Sequence, residues 1–469
     1  MLIRIKVVLN LLLIIQSGLL GQPLPLNKSR HDTVIQITND SCGKNKSSLQ
    51  VFQYQPLSQK DSSEFRLIDS LENALIIDER LKLMDAFLSG NTPVGIFNLD
   101  YKKLINYNEF EGIRLGIGLS TNKKISSHFS LGGYITYGFN DHAIKDGASL
   151  QLFPNWLSAT KLIFQYHNDV SEVGGYHFLD EYIFNQSEIF RNFDLDRMLY
   201  IHEFEADVSF KTLEYFKFNF YTNISDKTLP GYIFTPAETN YNGYESTFHF
   251  TEIGMNLKIA FNEKFISSPE GKLITTENNY PFVWFNIRRG IPLAGGDFTY
   301  TKYELKVMQI FTTPSFGQSK FVFVAGKISG DIPVTNLYNG HASYAPFTID
   351  AENTFATMRM DEFYATSFAS LFFRQKFKPM FDYPYFHPNF TFSANAGFGQ
   401  LSNALHHAPV ILSTFNLGYY ESGILINNLL ISGSLINLGF GVFYRFGPYA
   451  YSNISDNFCY RLTLDFNLK

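Results

Sequence analysis

The chain of 469 residues contains only two cysteines, Cys42 and Cys459, and only two tryptophans. Two cysteines cannot form the disulfide framework on which small secreted domains depend, so the fold must be held by other means. We interpret both as unpaired thiols. The alternative is one disulfide that ties the amino-terminal part to the last strand.

Excess positive charge is also missing. Lysine and arginine number 38 against 43 aspartate and glutamate residues, which gives a formal net charge of −5. Nucleic-acid-binding proteins carry a basic patch or stripe, and none is visible here. We therefore expect no nucleic-acid partner.

The chain lacks the short motifs of common catalytic sites: His-Glu-x-x-His, Gly-x-Ser-x-Gly and a phosphate-binding loop are all absent. His406 and His407 are adjacent, and adjacent residues on a strand point to opposite faces, which argues against a metal site. We expect no catalytic residue, no metal and no cofactor, and predict that the protein is not an enzyme. A hydrolase embedded in a membrane barrel is kept as the less favoured alternative to the non-enzymatic functions given below.

Long apolar runs are missing after the amino terminus, so no transmembrane helix is predicted. Residues 1–21 have the parts of a secretory signal peptide: Arg4 and Lys6, an apolar stretch over 7–15, and an end rich in small residues with cleavage expected after Gly21. Only helices and closed barrels satisfy the backbone in lipid, so an exported chain without such a helix points to a barrel if strands are present.

Aromatic residues, in contrast, are abundant, with 48 Phe and 28 Tyr in a chain that is 17% aromatic. This content suits an outward face of large apolar side chains with aromatic girdles at both membrane interfaces.

The stretch 434–469 predicts two long strands joined by a turn at Gly447-Pro448. In each strand, one face is apolar: Ile436, Leu438, Phe440, Val442, Tyr444 and Phe446, then Phe458, Tyr460, Leu462, Leu464, Phe466 and Leu468. The other face is mostly polar or small. Strands of a soluble sandwich are shorter, about 5–6 residues, so this alternation favours a membrane barrel wall.

Similar alternation predicts further strands, beginning with a hairpin that Glu111-Gly112 opens. The ranges are 113–119, 129–139, 143–153, 157–167, 198–210, 214–223, 247–261, 281–289, 300–311, 320–329, 363–374, 389–399 and 411–421. Because bacterial barrels have even strand counts, we predict an all-β fold, a transmembrane antiparallel β-barrel of about 14 strands over 107–469, with 12–16 allowed. Residues 22–106 are predicted to form a small, partly helical periplasmic segment.

Charged residues on the polar faces are candidates for the lumen. They are Arg114, Glu203, Glu205, Asp207, Lys302, Glu304, Lys306 and Arg445. Such residues could select ions or bind a substrate, or they could simply pair with one another.

Several short segments, taken in their order along the chain, resemble a known family. They are Ile68-Asp69-Ser70-Leu71, Tyr107-Asn108, Glu111-Gly112, Arg114-Leu115, Phe363-Tyr364, Ser370-Leu371-Phe372-Phe373, Glu421-Ser422-Gly423 with Asn427, the run from Gly441 to Tyr449, and Asp456-Asn457. From about residue 55 to its end, the chain is similar to an outer-membrane barrel family of unknown function found in Bacteroidota.

That family is commonly fused behind a carboxypeptidase-regulatory-like sandwich, for which too few residues precede the predicted helix. Gln375-Lys376 also stands where relatives often carry a histidine. The resemblance implies a barrel in the outer membrane of a Gram-negative bacterium, and it implies no established activity. The expected partners are outer-membrane lipid, the barrel-assembly machinery and unknown envelope proteins.

Two functions from different classes remain open. The first is a pore or receptor for export or uptake. The second is an assembly or scaffold barrel for other envelope proteins or lipids. Whether the lumen is open or plugged would separate them best.

Overall fold

The structure is a computed structural model that describes residues 90–469, except for 155–159, 180–189, 214, 236–243, 264, 268–272, 276–279, 380, 382–386, 409–411, 432–435 and 467–469. The predicted signal peptide, most of the predicted periplasmic segment and Cys42 lie outside the described residues. Within the described part of the chain, no helix is long and apolar enough to cross a membrane.

Strands dominate the described residues. In chain order they are β1 (Asn91–Val94), β2 (Phe97–Asp100), β3 (Ile105–Asn108), β4 (Gly112–Thr121), β5 (Phe129–Gly138), β6 (Ile144–Leu152), β7 (Lys161–Glu172), β8 (Met198–Thr212), β9 (Phe216–Phe234), β10 (Tyr244–Ala260), β11 (Phe265–Ser267), β12 (Leu273–Thr275), β13 (Phe282–Gly290), β14 (Tyr300–Thr313), β15 (Gly317–Ser329), β16 (Tyr338–Asn339), β17 (Phe347–Ile349), β18 (Tyr364–Ala365), β19 (Ser367–Lys376), β20 (Asn389–Gln400), β21 (His407–Ala408), β22 (Tyr419–Ile431), β23 (Ile436–Phe446) and β24 (Phe458–Phe466). The short 3-10 turns are Asn192–Asp194, Val334–Asn336, Ala404–His406 and Ile454–Asn457.

Twenty of these strands belong to one sheet. Its long strands, β4 to β10, β13 to β15, β19, β20 and β22 to β24, each pair antiparallel with the next along the chain. The result is a barrel-like all-β wall. Among the described residues, no ladder joins β24 to the first strands of the sheet.

The first strand of this wall is interrupted. β2 and β3 both pair with β4, and the helical turn α1 (Tyr101–Leu104) lies between them. The side chain of Asp100 starts this turn by accepting a hydrogen bond from the Lys102 amide at 3.0 Å. Among the described residues, the sheet begins at Asn91, ahead of residue 107, where the barrel was predicted to start.

With β2 and β3 counted as one interrupted strand, the described residues contribute sixteen strands to the wall. This is two more than the central expectation of 14 and lies within the expected range of 12–16. The strand predicted over 411–421 was placed too early in the chain, since the structure has β22 at Tyr419–Ile431.

The two faces of the wall separate by polarity. On β4, Ile113 is 48% exposed, whereas Arg114 is only 5% exposed. On the last hairpin, the apolar Phe440 and Tyr460 are exposed, and the inward Arg461 is fully buried. The outer face is therefore apolar and exposed, whereas the inner face carries buried polar groups.

Residues 331–366, between β15 and β19, form what we call the inserted segment. It contains a 3-10 turn over Val334–Asn336 and the short strands β16, β17 and β18, and most of its residues are buried. Three of its residues, His341, Asn353 and Asp361, have positive φ angles of 50°, 59° and 55°. Asn, Asp and His are enriched among the non-glycine residues that adopt this left-handed conformation.

Aromatic side chains pack between the inserted segment and the inner face of the wall. Phe355 meets Tyr419 with ring centroids 5.1 Å apart, and Tyr338 meets Phe368 at 4.7 Å. Both pairs are buried. The abundance of Phe and Tyr thus reflects an aromatic interior as well as the outer face to which sequence reasoning assigned it.

Candidate functional site

The inserted segment is fixed to the wall by a buried carboxylate. Glu421 on β22 is fully buried and accepts hydrogen bonds from the amides of Ala356 and Thr357, both at 2.8 Å, and from the Thr357 hydroxyl at 2.6 Å. Asn395 donates to the same carboxylate at 2.7 Å. Every oxygen of this buried charge is thereby satisfied, as burial of a carboxylate requires.

Arginines on two other strands of the wall add further anchors. Arg461 on β24 donates to the carbonyls of Ser343 at 2.8 Å and Ala356 at 2.5 Å. Arg374 on β19 makes a two-pronged contact to Asp350, at 2.6 and 2.9 Å. Two-pronged arginine–carboxylate pairs fix orientation as well as contributing energy, so the segment has a defined position.

Arg445, one of the sequence-predicted lumen residues, pairs with Glu362 of the segment at 2.8 and 3.2 Å. A second carboxylate of the segment, Glu352, accepts from Lys320 at 2.6 Å. The positive charge of Lys320, aided by that of Arg374, holds the pKa of Glu352 at about 2.

The segment also meets the chain that follows β7. The amides of Gly174 and Gly175 donate to the carbonyls of Thr335 at 3.2 Å and Leu337 at 2.8 Å. Gly174 has a φ of +76°, and a Cβ there would come within 2.4 Å of the Leu337 oxygen, so only glycine allows this approach. Arg191 donates to the Ala342 carbonyl at 2.6 Å.

A cavity of about 910 Å³ remains inside the wall beside the inserted segment. It is lined by β5 to β9, by parts of β4, β10, β13 and β14, and by Thr335 and Asn336 of the segment. Of the candidates from sequence, Glu203, Glu205, Asp207, Lys302 and Glu304 line this cavity.

The other three candidates lie inside the wall but do not line the cavity. Arg114 makes a two-pronged contact to Asp169, at 2.6 and 2.9 Å, and Lys306 lies 5.5 Å from the ring of Trp284. Arg445 belongs to the anchor of the segment. The candidates therefore separate into a cavity set and a set that supports the structure.

Side-chain amides and one histidine hold the carboxylates of β8. Glu203 accepts from Asn223 at 2.8 Å and lies 3.1 Å from His167, Glu205 accepts from Gln165 at 2.5 Å, and Asp207 accepts from Asn219 at 3.0 Å.

Three polar atoms of residues that line the cavity have no hydrogen-bond partner among the described residues, namely Asn223 Oδ1, Asn256 Oδ1 and Thr335 Oγ1. Asn223 and Thr335 are 7% and 3% exposed. Buried polar atoms are normally paired, so these atoms mark where a bound molecule or water would complete the wall.

Sequence reasoning found only Arg445 among the anchors. Glu421 appeared only within a motif of the resemblance, and Arg374 and Arg461 were not singled out. The described residues contain no group of three or more His, Cys, Asp or Glu placed to hold a metal ion.

The fold and its buried polar interior define the class of protein. It is an antiparallel, barrel-like all-β protein whose interior is partly filled by the inserted segment. The sequence matches the C-terminal domain of a family of unknown function (DUF5686) over residues 95–331, which is just over half of the chain. The chain belongs to this family. The match ends before Phe363, so the later motifs of the resemblance lie beyond it. An origin in Bacteroidota, and the family's common fusion behind a sandwich domain, stay predictions.

The solved structures similar to this chain include BamA from Haemophilus ducreyi lacking POTRA domains 1–3, with 10% identity, a TM-score of 0.44, and coverage of 76% of this chain and 69% of that one. CdiB from Escherichia coli has 9% identity and a TM-score of 0.42, with 79% and 63% covered. CdiB from Acinetobacter baumannii has 10% identity and a TM-score of 0.39, with 77% and 58% covered. The chain thus spans about three fifths of each CdiB chain. No curated protein is significantly similar in sequence.

Proposed function

We propose that this chain is an outer-membrane barrel that acts as a receptor or gated passage for a polar solute, with the inserted segment as its gate. The observation that carries the proposal is a polar cavity inside the wall, bounded on one side by a segment that is anchored through side chains. We propose no enzymatic step.

The outer face supports a place in lipid. Its large side chains are apolar and well exposed, as at Ile135, Phe204 and Ile424, which are 54%, 59% and 54% exposed. Burial in hydrocarbon removes this surface from water, which is favourable by about 25 cal/mol per Å² of apolar area. The partners that follow are outer-membrane lipid and, for insertion, the barrel-assembly machinery.

The interior supports a gate rather than a permanently open channel. Residues of the inserted segment occupy the inside of the wall, where Phe355 and Met358 are fully buried. The segment is joined at both ends to neighbouring strands, β15 and β19, so it can leave and return without breaking the wall. A polar solute would then enter the cavity from the side that the segment vacates.

Conductance across a planar bilayer tests this proposal. We would compare the full chain with a variant in which residues 332–361 are replaced by a short Gly-Ser linker. The full chain should give low conductance with brief openings, whereas the variant should give a large and steady conductance. Altered gel mobility before boiling would serve as the control that both barrels are folded. Equal conductance of two folded barrels would refute the gate.

One observation favours a second candidate, an assembly or scaffold barrel. β17 of the inserted segment pairs in parallel with the edge of the last strand, β24, from Phe347↔Tyr460 to Ile349↔Leu462. An uncovered strand edge is a template for pairing with another chain. If β17 left, a strand of a client could take its place, and copurification of nascent barrel proteins with the 332–361 variant would support this role.

A further inference from the structure

We propose that the cavity beside the inserted segment binds an elongated organic cation with two or more amino groups, a ligand of the polyamine class. This inference rests on the proposed function and specifies the solute. The site consists of the three carboxylates of β8, Glu203, Glu205 and Asp207, together with Asn223 and Thr335.

The spacing of the carboxylates determines the shape of the ligand. Glu203, Glu205 and Asp207 alternate with outward residues on β8, so all three face the cavity. A strand rises by about 3.3 Å per residue, which separates successive carboxylates by about 7 Å and the outer two by about 13 Å. A compact ion can contact only one of them, whereas an extended chain with several amino groups can follow the row.

The hydrogen-bonding capacity of the wall determines the chemistry of the ligand. Glu205 accepts from the amide of Gln165 and Asp207 from the amide of Asn219, which leaves carboxylate lone pairs facing the cavity. The buried Asn223 Oδ1 is an acceptor without a partner among the described residues. These unpaired acceptors require a ligand that donates hydrogen bonds. A protonated amine donates them and also neutralises the carboxylates.

Three of the cations that line the same cavity make their hydrogen bonds outside the row of carboxylates, although Lys227 also acts electrostatically on Glu203. Lys227 donates to the side chain of Asn336 at 2.6 Å, and Lys302 donates to the carbonyls of Gly175 at 3.2 Å and Asn336 at 3.3 Å. Arg288 donates to the Tyr221 hydroxyl at 2.9 Å and lies 3.6 Å from Glu252.

Lys161 and Lys217 line the cavity and act electrostatically on Asp207. They offset part of its charge. At the other end, Glu203 lies 3.1 Å from His167. Glu205, in the middle of the row, is therefore the place where we expect an amino group to bind.

Calorimetric titration of spermidine into the detergent-solubilised full chain tests the site. We expect saturable binding by the parent protein. Glu205→Gln keeps the size of the side chain but removes its charge, and should weaken binding about tenfold or more, since a charged hydrogen bond is lost. Fully N-acetylated spermidine, which lacks the charges, should not bind measurably.

Asp226→Asn is the matched control. It removes the same charge from the adjacent strand β9, but Asp226 is exposed, pairs with His249 and does not line the cavity. This variant should bind spermidine as the parent does. Absence of spermidine binding by the parent, or equal losses in the two variants, would overturn the polyamine site. The gate would still stand if the conductance experiment succeeded, so the two proposals fail separately.

Discussion

Replacing Glu421 with glutamine should loosen the inserted segment without unfolding the wall. The buried carboxylate receives the amides of Ala356 and Thr357, and both of its oxygens are in use. A glutamine keeps one oxygen and turns an NH₂ group toward a donor, so at least one buried amide loses its acceptor. A hydrogen bond to a charged group contributes about 1.5–3 kcal/mol, and an unsatisfied buried donor costs about 1–3 kcal/mol.

These values predict a loss of about 2–4 kcal/mol in the free energy that keeps the segment closed. If labelling follows brief local opening, this loss raises the labelling rate about 30- to 700-fold. We would introduce Ala345→Cys, a position that is 3% exposed, into a Cys42→Ser background and measure its reaction with a maleimide. Cys459 is a buried free thiol and should stay unreactive.

Glu352→Gln is the matched control, because the Glu352 side chain is 41% exposed and water can replace its contacts. It should raise labelling far less than Glu421→Gln does. Altered gel mobility before boiling would verify that each barrel is folded. Equal labelling of the Glu421→Gln variant and its parent would refute the view that this carboxylate holds the segment.

Three further outcomes are expected. Leu464→Arg, which faces outward near mid-bilayer, should reduce the inserted fraction at a cost of about 2–4 kcal/mol, whereas the inward Thr463→Arg should be milder; equal insertion would contradict the assigned faces. Neutralising Glu203, Glu205 and Asp207 together should leave insertion intact, as cell fractionation would report. A carboxyl with a lowered pKa contributes stability above its unfolded pKa and loses that contribution as the pH falls through its folded pKa. Because the pKa of Glu352 is about 2, its carboxyl should stay ionised from pH 7 to pH 4.5, and its carboxyl carbon-13 NMR shift should not change in that range; a titration midpoint near pH 4.5 would contradict the pairing.

The wall could be predicted from the sequence because alternation reports directly on which face a residue occupies. Phe458 to Leu464 alternates without a break, and β24 forms there. The same logic failed around β22, where Phe415 and Tyr419 are buried at 1% and 0% exposure against the inserted segment. An aromatic interior makes both faces apolar, so the pattern no longer marks where the strand begins.

The candidate site was only partly accessible to sequence reasoning. Glu203, Glu205 and Asp207 were placed on one face by alternation alone. Their relation to Thr335 and Asn223 was hidden, because it depends on where a segment without regular periodicity folds. Glu421 looks like any other lumen carboxylate until the amides of the segment are seen to meet it.

The attachment of the inserted segment at both ends determines how well a free peptide could compete with it for its place inside the wall. Since both of its ends continue into wall strands, the segment behaves as a tethered ligand of its own barrel, and short flexible tethers give effective concentrations in the mM range. A free peptide copy of residues 343–358 would have to exceed that concentration to take its place. A natural trigger that acts at lower concentration would therefore have to weaken the anchors at Glu421 or Arg461 rather than compete for the space that the segment fills.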